Sequence, residues 1–125
     1  KVLNTEYLLL GHGSRRSEAN QGLVEVAKKV SKILGKNVTP VFMDHQVPNL
    51  PEGVMEKINA GAKRIVVMPL FLFRGIHVAI DIHEEVREIR EKYPDVEIIF
   101  TRELGSDDAI AQLACTRIKE AIENV

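Results

Sequence analysis

Two hydrophobic rhythms alternate along this chain. Short unbroken apolar runs, Tyr7-Leu8-Leu9-Leu10 and Ile65-Val66-Val67-Met68 among them, are followed by longer stretches whose apolar positions recur every three or four residues. The first kind predicts strands buried on both faces of a sheet, the second amphipathic helices. Leu8 to Leu10 is the core of the first strand. A helix follows from about Ser17 to Leu34, with Leu23, Val26, Ala27, Val30, Ile33 and Leu34 on its apolar positions and Gly35 as its stop. Val38 to Met43, β-branched and carrying Phe42, is the second strand. Pro48 and Pro51 break the chain before a short helix over about Glu52 to Asn59, closed by Gly61. Ile65 to Met68 is the third strand, with Pro69 near its end because proline cannot donate to the ladder.

A loop through Gly75 and His77 then leads to a third helix, for which Asp81 and Glu84 supply a capping box. Ile82, Val86, Ile89 and Tyr93 form its inward stripe, and Pro94 stops it. Val96 to Phe100 is the fourth strand. Asp107 and Asp108 open a fourth helix, where the helix dipole favours acids, and Ile110, Ala114, Ile118, Ala121 and Ile122 form its inner face. Four strand–helix units in succession predict a single α/β domain over residues 1–125: a four-stranded parallel sheet flanked by helices, in the flavodoxin-like order 2-1-3-4. That order makes strands one and three neighbours and opens a crevice between their carboxyl ends, where ligands bind in such sheets. His12 and His77 then face each other across it.

Composition narrows the function. The 17 Lys and Arg against 18 Asp and Glu leave a net charge of −1, and tryptophan is absent, so neither nucleic acid nor membrane is an expected partner. The single cysteine, Cys115, excludes an internal disulfide and a Cys-based zinc or iron–sulfur site within one chain; it is placed in or near the core of the fourth helix. A reducing cytoplasm is the natural compartment, and no apolar stretch approaches membrane-spanning length.

The chemistry gathers at the strand ends. Gly11-His12-Gly13-Ser14 puts an imidazole between small residues, where a ligand can approach the backbone; the same residues also make a plain turn with Ser14 or Ser17 as helix cap. A phosphate loop is a third option, although the third glycine of the dinucleotide fingerprint is replaced by Glu18. His77 is either a local loop hydrogen bonder or the partner of His12, since imidazole both binds divalent metals and accepts a proton near neutral pH. Asp44 and His45 follow the second strand on the same rim, as site groups or as a solvated turn. Arg15, Arg16 and Arg74 suit an acidic ligand, because guanidinium groups bind carboxylates in a bidentate way. His83 reads as a surface residue, and Lys28, Lys29, Lys32 and Lys36 as the wet face of the first helix.

Leu10-Gly11-His12-Gly13-Ser14-Arg15, the stretch Phe42 to Glu52 with its two prolines, and Pro69-Leu70-Phe71-Leu72-Phe73-Arg74-Gly75-Ile76-His77 with Asp81-Ile82 resemble the sirohydrochlorin chelatases of the CbiX type, in their short form. The resemblance covers nearly the whole chain. It implies ATP-independent insertion of Co2+, or of Ni2+ or Fe2+, into sirohydrochlorin for tetrapyrrole (cobalamin) synthesis by a cytoplasmic homodimer, with the metal as substrate and no tightly bound cofactor. It makes His12 and His77 the catalytic, metal-contacting pair, with Asp44, at the family's usual Glu position, as a further metal ligand and His45 as a weaker one. The family often has proline where His83 stands. Ser14, Arg15, Arg16, Leu72, Phe73, Arg74 and Ile76 are then expected against the acidic macrocycle. The rival expectation is a non-catalytic flavodoxin-like module that binds a tetrapyrrole or a metal.

Overall fold

A computed structural model describes residues 4–73 and 75–124, the side chains of residues 77 and 78 excepted. Four strands and four helices alternate: β1 (Thr5–Gly11), α1 (Ser17–Leu34), β2 (Val38–Phe42), α2 (Leu50–Asn59), β3 (Arg64–Pro69), α3 (Ile76–Lys92), β4 (Glu97–Phe100) and α4 (Asp108–Glu123). The sheet is parallel throughout, in the order β2-β1-β3-β4. Leu9 therefore pairs with Pro40 on one side and Met68 on the other, and both β1 and β3 end at the same rim.

The two faces of the sheet are covered unequally. On one, Leu8, Leu10, Val41, Ile65, Val67 and Ile98 pack against Leu50 and Val54 of α2 and Ile82, Val86 and Ile89 of α3. On the other, Leu9, Val38 and Phe42 pack against Leu23 and Ala27 of α1. β3 accordingly alternates: Ile65, Val67 and Pro69 are buried, while Arg64, Val66 and Met68 are half-buried. The unbroken apolar run predicted equal burial on both faces, and only one face has it.

The missing cover is α4. None of its residues is buried, and beyond half-buried Ile110 the predicted inner face is open, with Ile118 61% and Ile122 67% exposed. Cys115, predicted in or near the core, is exposed with it. Asp107 caps this helix through the Ala109 amide, so its start is as predicted even though its packing is not. Ile33 and Leu34, at the end of α1, are also exposed.

Two helix starts differ from the expectation. Pro51 stands inside the first turn of α2, which begins at Leu50 with a reciprocal capping box between Asn49 and Glu52. Proline there removes only an amide that has no helical partner. α3 begins at Ile76 with Gly75 as N-cap, five residues before the predicted Asp81–Glu84 box. Glu84 pairs with Arg87 instead, at 2.9 Å along the helix surface. The earlier start takes position 77 out of the predicted loop and into the first helical turn.

Candidate active site

The rim at the ends of β1 and β2 is built by continuing strand pairing into the loops. The Met43 amide donates to the Gly11 carbonyl and the Asp44 amide to the His12 carbonyl, both at 2.9 Å. Asp44 is thereby held beside His12 across the strand ends. Gly13 has φ 87° and sits so close that a Cβ there would run into the Asp44 carbonyl. Its glycine is required by this loop crossing, whereas the sequence suggested room for a ligand.

The loop after His12 is pinned by a residue that motif reading missed. Asn20, buried in the first turns of α1, accepts from the Ser14 amide and donates to the Ser14 carbonyl, each at 2.8 Å. The Ser14 hydroxyl accepts from the Arg16 amide at 3.0 Å. Arg16 itself is at the N-cap, with no side-chain cap bond, so neither Ser14 nor Ser17 caps α1. A polar residue on the inward spacing of an amphipathic helix, three before Leu23 and seven before Ala27, was the available signal for Asn20.

The imidazole of His12 stacks on Phe71, with ring centroids 4.2 Å apart and planes at 29°. Phe71 is buried just past β3, and its carbonyl accepts from Leu104 in the loop before α4. The ring stack thus fixes His12 to the end of β3. Asp44 accepts from the His45 amide at 2.9 Å, and its second oxygen lies 3.7 Å from His45 Nε2. His45 takes a left-handed backbone, φ 64°, uncommon outside glycine.

His12, Gly13, Met43, Asp44 and His45 line one cavity of about 290 Å³, and Asp81 and Glu85 of α3 form its other wall. The helix spacing puts Asp81 and Glu85 along one face of α3. Glu85 was not singled out from the sequence. Burial raises its pKa, with the charges of Asp81 and Glu88 adding to the effect. Among the described residues, its Oε2 is the one buried side-chain oxygen or nitrogen without a hydrogen-bond partner, and no three His, Cys, Asp or Glu side chains close to metal-holding distance. The acidic side chains on the cavity wall suit a divalent cation, and the imidazoles and carboxyls suit proton handling.

Of the other predicted site residues, Arg15, Arg16, Leu72, Phe73 and Ile76 are exposed at the same rim, and His83 is exposed on α3. Arg74 and the side chain of His77 lie outside the described residues. No described helix is long and apolar enough to cross a membrane.

Fold and site define an α/β domain whose imidazole and carboxylates gather at the topological switch point of a parallel sheet. The chain belongs to the CbiX family, whose model matches residues 6–121. It is 33% identical to the sirohydrochlorin cobaltochelatase of Methanocaldococcus jannaschii, over 88% of this chain and 94% of that one. It is 32% identical to the sirohydrochlorin ferrochelatase of Priestia megaterium, over 90% of this chain but 43% of the relative. The sirohydrochlorin chelatase SirB of Bacillus subtilis subspecies spizizenii, solved in complex with cobalt, superposes with a TM-score of 0.86 at 27% identity, over 94% of this chain and 51% of SirB. The chain thus spans about half the length of some relatives and nearly all of others.

Proposed function

We propose that this chain is a sirohydrochlorin chelatase that inserts a divalent metal, Co2+ in the first instance and Ni2+ or Fe2+ as alternatives, without ATP. The observation that carries the reading is the cavity at the β1–β3 switch point, with His12, Asp44 and His45 on one wall and two carboxylates on the other. Relatives named for this reaction with cobalt and with iron support it. Insertion strips water from the metal and removes two pyrrole protons. A loose polar site suits that task, because an ion that must be handed on is not held in a closed cage.

His12 and His77 hold the incoming metal. Phe71 restricts the His12 ring, and Asp44 lies beside the neighbouring His45 and orients it. The macrocycle is larger than the cavity and lies across its mouth, where exposed Leu72, Phe73 and Ile76 meet the ring and Ser14, Arg15, Arg16 and Arg74 meet its carboxylates. The working form is a homodimer. Support comes from the open apolar side of α4 and from Ile99, 38% exposed on the thinly covered part of the sheet. Free, exposed Cys115 suits a cytoplasmic location.

The test is an anaerobic absorbance assay with sirohydrochlorin and Co2+. Catalytic spectral conversion is expected, and His12→Ala and His77→Ala each reduce it by about 100-fold or more. Stoichiometric binding without turnover establishes the rival reading, a tetrapyrrole-binding module. Near-normal turnover in the double alanine variant removes the two histidines from the mechanism.

A further inference from the structure

As a metal enters the macrocycle, two N–H bonds break. Each nitrogen keeps the bonding electron pair and shares it with the metal, and each proton needs an acceptor. An imidazole that is holding the metal through its lone pair is not free to take that proton. A separate base in the cavity resolves the conflict, and α3 supplies one.

Glu85 lines the same cavity as His12, Asp44 and His45, on the opposite wall. Its Oε2 is buried, and no described residue donates to it. A carboxylate in that position is destabilised as an anion and gains by binding a proton. Burial is the leading cause of its raised pKa, and Asp81 and Glu88 on its own helix add like charge. Among the described residues, the other titratable groups on the cavity are His12 from the end of β1 and Asp44 and His45 from the loop after β2. α2 packs against α3 but places no residue on the cavity.

Position matters as much as environment. α3 starts at the rim, so Asp81 stands one turn nearer the mouth than Glu85, and it is exposed. The two carboxyls make a short path running from a buried end to water.

We propose that Glu85 is the proton acceptor of the insertion step: the two pyrrole N–H protons cross the cavity water in turn to the Glu85 carboxylate, each forming its O–H and leaving to solvent past Asp81 so that the carboxylate is regenerated for the next. This deepens the chelatase reading and rests on it. Glu85 acts through cavity water and does not touch the metal.

Cobalt insertion by wild type, Glu85→Gln and Glu85→Asp, followed against pH, tests it. Glu85→Gln is expected to lower kcat about 10- to 100-fold, within the usual range for a lost general base. The KM for cobalt stays the same, the acidic limb of the kcat profile disappears, and the melting temperature does not fall. Glu85→Asp recovers part of kcat. Unchanged kcat and pH profile in Glu85→Gln overturn the role while leaving the chelatase reading intact. A raised KM for cobalt with kcat preserved also overturns it, by making Glu85 a metal contact. Lost activity with a lowered melting temperature and no recovery in Glu85→Asp overturns it as a structural effect. Absence of turnover in the wild type removes both readings together.

Discussion

α3 and α4 are both amphipathic, of nearly equal length, and each follows a strand of the same sheet, yet their fates differ. Ile82, Val86 and Ile89 of α3 are 5%, 3% and 7% exposed against the sheet, whereas α4 buries nothing. Periodicity states that a helix has an apolar side. It does not state which chain covers that side. In α3 the answer is the helix's own sheet; in α4 we propose that it is a second copy.

The sharpest way to break this comparison is to truncate matching isoleucines. Ile82→Ala is expected to cost about 2–5 kcal/mol, from lost burial plus the cavity left behind. Ile118→Ala, read in dilute protein by urea denaturation, should stay within about 0.5 kcal/mol of wild type. Similar losses at both positions would mean that α4 packs on its own domain in solution. Ile118→Asp combined with Ile122→Asp should leave a folded domain and abolish association in sedimentation equilibrium. A wild type that is monomeric at high concentration would remove the partner copy.

A smaller effect separates the pinned rim from the open helix. Asn20→Ala strips both bonds from the Ser14 backbone and should cost about 1–3 kcal/mol, as expected for buried groups left unpaired. An exposed polar residue of α4, such as Gln112, should tolerate alanine with no measurable loss in the same thermal melts.

The smallest expected effect lies in pH. Glu85 holds its proton more tightly in the folded chain than its ordinary value of 4.5 allows. The folded state therefore binds more protons than the unfolded one across that window. The group's contribution to stability is present below the unfolded pKa and is lost as pH rises through the folded value. Glu85→Gln should accordingly gain on wild type in thermal melts as pH rises from about 4 to about 7. A constant difference across that window would place the unfavourable energy elsewhere.

Much of this was legible from residue order. The apolar runs located the strands, Gly35 ended α1, and four repeats of one unit gave the sheet order. His12, Asp44 and His45 were legible because they follow strands, and parallel strands end together. What stayed hidden depended on tertiary contact. Phe71 looked like one more apolar residue until it met the His12 ring. Asp81 and Glu84 imitate a capping box, but Gly75 starts the helix earlier because its extended backbone already turns the chain into α3. Glu85 was indistinguishable from the surface acids around it, since only folding buries one of its oxygens. α4 carries an amphipathic pattern, but periodicity alone could not tell that none of its residues packs into the core.

Gly13 leaves one further mark on the molecule. Because it nests against the Asp44 carbonyl, the loops carrying His12 and Asp44 are geared together, and neither can be re-spaced alone. The wall opposite has no such gear: α3 can exchange one side chain for another without moving its backbone. Variation that retunes the chamber toward a different ion thus has one cheap place to occur, the helix, and one expensive place, the rim.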